Sequence, residues 1–187
     1  MTTQPMETAT RLFTGSELLA MGDIGPCELI DGVIVRMSPT GGVHGLLESR
    51  LDRRLGTFVE DSKAGWCLVG EIGVYIRRDP DRIRGADLAF WSMAKLPDGP
   101  PPGFIEVAPD LVVEILSPTD RWAEMRQKLD DYFSIGVGTL WIVDPQEETV
   151  FVYSSASQRT ALRTGDTLIG TGPLNGFALS VAELFAF

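Results

Sequence analysis

The sequence of 187 residues predicts an α/β (α+β) domain in which helices flank a mixed central sheet. Two segments, 43–59 and 122–133, place apolar residues at the three-and-four spacing of an amphipathic helix. Short runs rich in β-branched and aromatic residues separate these segments and follow the second one. A chain of this length usually folds as one unit, so we expect a single domain over residues 1–187, with a flexible N-terminus over residues 1–14.

The composition excludes two classes of protein. With 44% hydrophobic and 22% charged residues, the chain is too apolar to be disordered. No apolar run approaches the roughly 18–20 residues that a membrane-spanning helix needs. The first residues also lack the basic and apolar regions of a secretory signal. We therefore expect a cytoplasmic protein that does not associate with membranes.

The first predicted elements are a short helix and a hairpin. Ser16 is a suitable cap for a helix over residues 17–21. In the segment 27–37, the dipeptide Asp31-Gly32 separates two β-prone runs and favours a two-residue turn with positive φ at both positions. A long amphipathic helix over residues 43–65 follows the hairpin.

Three strands are predicted after this helix, over residues 67–76, 86–91 and 110–116. A second helix, entered at Ser117 and stopped by Gly136, then leads to a strand over residues 140–143. The strand, helix and strand over residues 110–143 predict a right-handed crossover between parallel neighbours. A further strand is expected over residues 150–153, and an apolar turn over residues 181–187 ends the chain.

Two carboxylates interrupt strands that otherwise read as buried. Glu114 has apolar neighbours on both sides, and Asp87 stands at the beginning of its strand. An unpaired buried carboxylate costs several kcal/mol, about 2–7 for polar groups generally, so each needs a cation, a hydrogen-bond donor or a proton. A shared Mg²⁺ meets that need, because Mg²⁺ prefers oxygen ligands. A salt bridge for Glu114 and a solvated strand end for Asp87 are the alternatives.

Four other polar residues are candidates for the same site. Lys128 lies beside the apolar face of its helix, from which it could reach the sheet edge, although most helical lysines are solvated. His44, the only histidine, either lines a cleft or caps a loop. Glu28 and Glu71 are possible third acids, and a cross-strand arginine is an equally good partner for Glu71.

The net charge of −10 argues against a protein that holds nucleic acid through a broadly basic surface. The charge is uneven, because residues 50–84 carry eight basic and six acidic residues. Solvated surface is the simpler explanation for this stretch, and a face for a phosphate backbone is the alternative. Two distant cysteines, Cys27 and Cys67, give neither a zinc site nor a disulfide framework and are expected to be buried.

Taken together, these residues resemble the Uma-two family of restriction-endonuclease-like proteins, in the PD-(D/E)XK nuclease superfamily. The likeness covers about residues 25–185. It is carried by Glu28-Leu29-Ile30-Asp31-Gly32, His44, Asp87, the run from Pro109 to Pro118, Lys128, Tyr132, Gly136-Val137, and Trp141-Ile142-Val143-Asp144-Pro145. The resemblance implies the αβββαβ core of that superfamily, which is the order predicted above from periodicity.

The resemblance also implies a site. It makes Asp87 and Glu114 ligands of Mg²⁺ or Mn²⁺, together with the carbonyl of Ile115. The lysine usual in the superfamily falls at Leu116 here, so Lys128 on the next helix takes its place. The remaining catalytic candidates are Glu28, which matches a family acid near the cleft, and His44, which matches a family histidine. Ala86 and Thr139 stand where the family usually has a proline and an acid.

The implied function is that of a metal-dependent endonuclease that hydrolyses phosphodiester bonds of DNA. One alternative is an inactive nuclease-fold protein that acts as an interaction module, which the acidic charge and Leu116 favour. Another is a metal-dependent hydrolase of a smaller substrate such as a nucleotide. Restriction-like enzymes often act as dimers, so a homodimer packed through Phe185 and Phe187 is also expected.

Overall fold

The computed structural model describes residues 11–186. Its ten strands are Cys27–Ile30 (β1), Val33–Arg36 (β2), Gly65–Arg77 (β3), Arg82–Ser92 (β4), Leu111–Ile115 (β5), Thr139–Asp144 (β6), Thr149–Ser155 (β7), Gln158–Leu162 (β8), Thr167–Ile169 (β9) and Ala178–Ser180 (β10). The α-helices are Gly15–Ala20 (α1), Gly42–Leu51 (α2), Thr57–Ser62 (α3), Trp122–Ser134 (α4) and Val181–Phe185 (α5). A π-helical segment, Asp52–Gly56, joins α2 to α3, and a short 3₁₀ helix spans Gly172–Leu174.

Eight strands form one mixed sheet, which confirms the predicted fold class. The strand order is β2-β1-β4-β5-β6-β7-β8, and β3 also pairs with β4. The pair of β5 and β6 is parallel and is joined by α4, whereas the other strand pairs of this sheet are antiparallel. The predicted core order of a helix, three strands, a helix and a strand is therefore observed.

The two faces of the sheet bury different side chains. On one face, Leu47, Leu51 and Leu55 of the long helix pack with Val113 of β5. On the other face, α4 packs against the alternate residues of the same strands. Residues that alternate along a strand point to opposite faces, so helices cover both sides of the sheet.

The long helix keeps its core residues aligned by changing its winding. Leu47, Leu51, Leu55 and Val59 lie four residues apart, and each is at most 1% exposed. An α-helix has 3.6 residues per turn, so residues four apart drift around its axis. The wider π turn between α2 and α3 compensates for that drift. Leu46, which the spacing also placed on the core face, is exposed instead.

The hairpin of β1 and β2 confirms the predicted turn, because Asp31 and Gly32 have φ values of 55° and 80°. The cap of α1 is Thr14, not Ser16 as predicted. The Thr14 hydroxyl accepts from the amide of Glu17, and the Glu17 carboxylate accepts from the amide of Thr14. Of the segment expected to be flexible, residues 1–10 lie outside the described residues.

The C-terminal end differs from the prediction. Residues 181–185 form α5, whose first turn is capped by Ser180, where an apolar turn was expected. Phe185 is only 4% exposed and belongs to the core cluster on the α2 side of the sheet. It is therefore not available for the predicted subunit contact, and Phe187 lies outside the described residues.

Cys27 and Cys67 are free and half-buried, where full burial was expected. Burial raises the pKa of the Cys67 thiol to about 12. Within residues 11–186, the structure contains no helix that is both long enough and apolar enough to cross a lipid bilayer.

Strand β4 has an edge that two different strands share. It pairs with β3 along its whole length, from Arg82 to Ser92. Its other edge pairs with β1 at Ile83 and with β5 only from Leu88 onward. Residues 84–87 therefore have no paired strand residue on that edge, and this opening is called the β4 gap below.

Candidate active site

The two predicted metal ligands meet at one end of the β4 gap. Leu88 lies opposite Val113 in the antiparallel pair of β4 and β5, so Asp87 and Glu114 occupy the positions directly beside that pair. Asp87 is 5% exposed and Glu114 is 3% exposed. The Asp87 carboxylate also accepts a hydrogen bond of 2.6 Å from the amide of Ile115, which fixes its position against β5.

Helix α4 supplies two donors to Glu114. Lys128 Nζ lies 2.7 Å from Glu114 Oε2, and Tyr132 Oη donates to Glu114 Oε1 at 2.8 Å. The two donors are four residues apart, so they project from the same side of the helix. Both also lie within 3.5 Å of the Gly85 carbonyl in the β4 gap. Lys128, which the sequence predicted to supply the amine of the site, thus contacts the predicted metal ligand Glu114.

Glu28 enters the β4 gap from the hairpin. Its carboxylate accepts from Arg84 Nη1 at 2.7 Å and from the amide of Gly85 at 3.2 Å, and it lies 3.5 Å from Lys128 Nζ. Only 5% of this residue is exposed. Glu28 therefore helps to orient Lys128, and it binds the Gly85 amide, which pairs with no strand residue. Arg84 compensates much of the negative charge of Glu28.

His44 reaches Asp87 from α2. Its Nε2 lies 3.2 Å from Asp87 Oδ2, and its ring is buried. Among residues 11–186, no hydrogen-bond partner is placed for His44 Nδ1, and the nearest acid oxygen, on Glu48, is 3.9 Å away. The cleft role proposed for His44 from sequence is the one that this position supports.

Glu71 joins the site because β3 contains a β-bulge. The register moves from Val69 opposite Leu88 to Ile72 opposite Ala86, so two bulged residues face Asp87. Both have positive φ, 97° at Gly70 and 56° at Glu71. A Cβ at Gly85 would lie 2.7 Å from Glu71 Oε2, so Gly85 is needed for this close approach.

Of the two roles left open for Glu71, the structure supports the third acid. No ion pair joins Glu71 to an arginine within the described part of the chain. The signal available in the sequence was the run Gly70-Glu71-Ile72-Gly73, because glycine inside a strand often marks a bulge. Tyr132 was assigned only to the apolar face of its helix, and its hydroxyl could not be placed without the fold.

Burial and mutual repulsion perturb the acids of this cluster. Burial raises the pKa of Glu114 to about 8, although Lys128 and Tyr132 oppose the rise by donating to its carboxylate. Burial and the charge of Asp87 raise the pKa of Glu71 to about 7. Burial lowers the pKa of His44, but the hydrogen bond to Asp87 and the negative charges of Asp87, Glu48 and Glu71 together outweigh that effect and raise the pKa overall.

The donor set suits a hydrated Mg²⁺ or Mn²⁺ ion. Magnesium is usually bound through one or two carboxylates and retains several waters. Asp87 and Glu114 supply those carboxylates, and Glu71 faces the same space. No group of three or more histidine, cysteine, aspartate or glutamate side chains in residues 11–186 is placed to enclose a metal ion. The site fits an open, water-rich ion and does not fit a closed structural metal.

The basic stretch 50–84 does not form a free face for phosphates. Arg84 bridges Glu28 and Asp131 with distances of 2.7 Å, and Arg82 binds Asp131 at 2.7 Å. Arg77, Arg78 and Arg54 also pair with acids. Most of these arginines are therefore paired with acids of the same chain, and the alternative of a phosphate-binding face in this stretch is not supported.

Comparison with known proteins finds a matching family model and similar solved structures. The family model of Uma2 (Uma-two), described as "putative restriction endonuclease", matches residues 16–182. A crystal structure from Anabaena variabilis, of a "putative nuclease belonging to DUF820", superposes with a TM-score of 0.80 at 22% sequence identity and covers 93% of this chain and 98% of its own. That likeness shows the fold. No curated protein matches the chain.

Proposed function

We propose that this protein, which belongs to the Uma2 family, is a metal-dependent nuclease that hydrolyses phosphodiester bonds of DNA. One observation carries the proposal: Asp87 and Glu114 lie side by side at the β4 gap with Lys128 Nζ 2.7 Å from Glu114. Two acids and an amine in one cleft are the groups that metal-assisted phosphodiester hydrolysis requires. The family's description as restriction endonucleases supports DNA as the substrate.

In this proposal Asp87 and Glu114 hold Mg²⁺ or Mn²⁺, with the Ile115 carbonyl as a further predicted ligand. When bound, such an ion polarises a phosphoryl oxygen and lowers the pKa of a coordinated water. Lys128 then supplies a fixed positive charge next to the negative charge that develops on the phosphoryl oxygens. The Ile115 amide and His44 keep the Asp87 carboxylate in one orientation.

Glu28 and Tyr132 are positioning residues in this scheme. Glu28 contacts Lys128 and the Gly85 amide, and Tyr132 contacts Glu114 and the Gly85 carbonyl. Each therefore ties a catalytic side chain to the backbone of the β4 gap. Their loss is expected to move Lys128 or Glu114 without removing either one.

The proposal is tested by nicking of supercoiled plasmid in Mg²⁺, Mn²⁺ or EDTA. We expect cleavage only with the divalent metals, and Glu114→Gln should lower the rate at least about 100-fold because a charged group at the reacting centre is lost. Glu124→Gln, on the exposed side of α4, is the matched control and should cleave like the wild type. Metal-dependent cleavage that persists undiminished in Glu114→Gln would sink the assignment.

The second candidate is an interaction module that keeps the nuclease fold without activity. It is favoured by the ion pair of Lys128 with Glu114, which neutralises the acid without any metal. Titration calorimetry with Mg²⁺ and Mn²⁺ separates the two candidates. Heat of binding that disappears in Asp87→Asn supports the nuclease, whereas no binding at millimolar metal supports the interaction module.

A further inference from the structure

A pocket lined by aromatic and cationic side chains lies outside the acid cluster, between the start of α4 and strands β7 and β8. Its volume is about 550 Å³, which is ordinary for a small-ligand site. Trp122, Phe151 and Tyr153 provide its rings. Trp122 is 41% exposed, although its spacing on α4 predicted a core position. The exposed indole is therefore available for contact with a ligand in the cavity.

Arg159 is held in place inside this pocket. Its guanidinium carbon lies 4.6 Å from the centre of the Phe151 ring and 5.9 Å from that of Trp122. Its Nη1 donates to the Tyr153 hydroxyl at 2.9 Å. Arg126 of α4 lines the same pocket, and neither arginine has an acidic partner in the part of the chain described. A guanidinium that is fixed and unpaired is well suited to bind a phosphate.

Two acids also line the pocket and limit its positive charge. Asp144 Oδ1 accepts from the amides of Gln146 and Glu147 at 2.9 and 3.2 Å, so the turn after β6 engages that carboxylate. Glu147 lies exposed at the rim. The lining therefore combines an indole and two guanidinium groups with two carboxylates. Aromatic rings and arginines are the groups with which proteins hold single-stranded nucleic acid.

The pocket is close to the acid cluster and on the same side of the sheet. Glu114 lies opposite Ile142 in the parallel pair, so Asp144 is two residues further along the neighbouring strand. Strand geometry then separates the Cα atoms of Glu114 and Asp144 by about 8 Å. A chain of nucleotides could therefore pass from the acid cluster into the pocket, beyond the carboxyl ends of two parallel strands, where ligands commonly bind.

We infer that this pocket binds a nucleotide next to the cleavage point, with its base stacked on Trp122 and its phosphate held by Arg159 and Arg126. The inference rests on the proposed nuclease function. It specifies an unpaired strand, because the bases of a duplex stack on each other and leave no face for an indole. The substrate is thus a single-stranded or locally opened segment.

The test measures binding of a fluorescein-labelled single-stranded oligonucleotide in EDTA, so that binding does not depend on cleavage. Stacking of one base on an aromatic residue contributes about 1–3 kcal/mol, so Trp122→Ala should weaken binding about 5- to 150-fold. Trp122→Phe should recover much of that loss. Arg159→Ala should also weaken binding and reduce the slope of log K against log salt by about 0.7, the effect of losing one phosphate contact.

Arg163→Ala is the matched control, because it removes an exposed arginine four residues further along the chain that does not line the pocket. Equal weakening by Arg163→Ala and Arg159→Ala would mean general charge attraction and would overturn the inference. So would unchanged binding in Trp122→Ala, or a dimer in sedimentation that this variant dissociates. Plasmid nicking in Mg²⁺ is measured in parallel. If the wild type cleaves while its pocket variants bind normally, the pocket assignment fails and the nuclease assignment stands.

Discussion

At the residue scale, the acids of the site differ in how their charge is compensated. Glu28 has Arg84 and Glu114 has Lys128, each at 2.7 Å. Asp87 has the Ile115 amide and His44. Glu71 has no cation in contact within residues 11–186, and burial and repulsion from Asp87 raise its pKa to about 7. This imbalance has a measurable effect on stability.

We expect Glu71 to make the metal-free protein less stable as the pH rises. An ordinary glutamate has a pKa of 4.5, so between 4.5 and about 7 the folded state retains a proton that the unfolded state has lost. The free energy of unfolding must therefore fall as the pH rises through that window. Glu71→Gln should remove this part of the slope, measured by urea unfolding in EDTA across the window. Glu60→Gln, an exposed acid on α3, should leave the slope unchanged, and equal slopes in wild type and Glu71→Gln would contradict the expectation.

Sequence reasoning found the residues whose chemistry conflicts with their surroundings. Asp87 and Glu114 stand out because a carboxylate interrupts a run of strand residues, and the structure places them side by side. Glu71 could not be assigned in the same way, because its direction depends on an extra residue in β3 that changes which face it points to. The ion pairs of the arginines could not be predicted either, since their partners come from distant segments of the sequence.

At the scale of elements, a network of ion pairs joins the hairpin, β4 and α4. Arg84 contacts Glu28 of β1 and Asp131 of α4, and Arg82 contacts Asp31 of the hairpin turn as well as Asp131. The network spans the same three elements that supply Glu28, Gly85 and Lys128 to the site. It therefore fixes the positions of the side chains of the proposed site and also contributes to the stability of the fold.

Arg84→Met should destabilise the protein by about 3–5 kcal/mol, because it leaves two buried carboxylates without their shared cation. Arg54→Met is the comparison, since the pair of Arg54 and Glu183 is exposed and such pairs contribute about 0–1 kcal/mol. Urea unfolding at neutral pH measures both changes. If the two variants lose the same small amount of stability, the network does not have the role given to it here.

The element boundaries show where local sequence patterns suffice. The Asp31-Gly32 hairpin and the parallel pair joined by α4 follow from turn chemistry and hydrophobic periodicity. The cap at Thr14 and the helix at residues 181–185 were missed. Both depend on local caps that the sequence contains, a capping box between Thr14 and Glu17 and the Ser180 side chain accepting from the amide of Glu183. Phe185, which was expected at a subunit contact, lies in the core instead.

At the scale of the whole molecule, part of the net charge of −10 comes from acids in the interior of the protein. Five acids, Glu28, Glu48, Glu71, Asp87 and Glu114, surround the site, and several arginines that might have offset the surface charge are paired within the fold. A divalent ion would relieve repulsion in this cluster. Association with DNA is then expected to depend on local features such as the Trp122 pocket, and to weaken with salt.

Mg²⁺ should accordingly stabilise the folded protein. Binding to the folded state alone adds about 1.4 kcal/mol at ten times the dissociation constant, which raises the melting temperature. The rise should be absent in Asp87→Asn, and NaCl at matched ionic strength should not reproduce it. Differential scanning fluorimetry with and without metal measures it. An equal rise in Asp87→Asn would show that Mg²⁺ only screens the surface charge.

The shared edge of β4 also has a mechanical consequence. The hairpin is in register with β4 at one residue pair, Leu29 with Ile83, while β5 is fastened separately further along the same strand. Within the described part of the chain, no continuous ladder of backbone hydrogen bonds therefore joins β1 to β5 across the β4 gap. Side chains span the opening instead, because Arg84 joins Glu28 of the hairpin to Asp131 of α4, and Lys128 of α4 lies 3.5 Å from Glu28. We therefore expect these side-chain contacts, and not strand pairing, to set the width of the cleft.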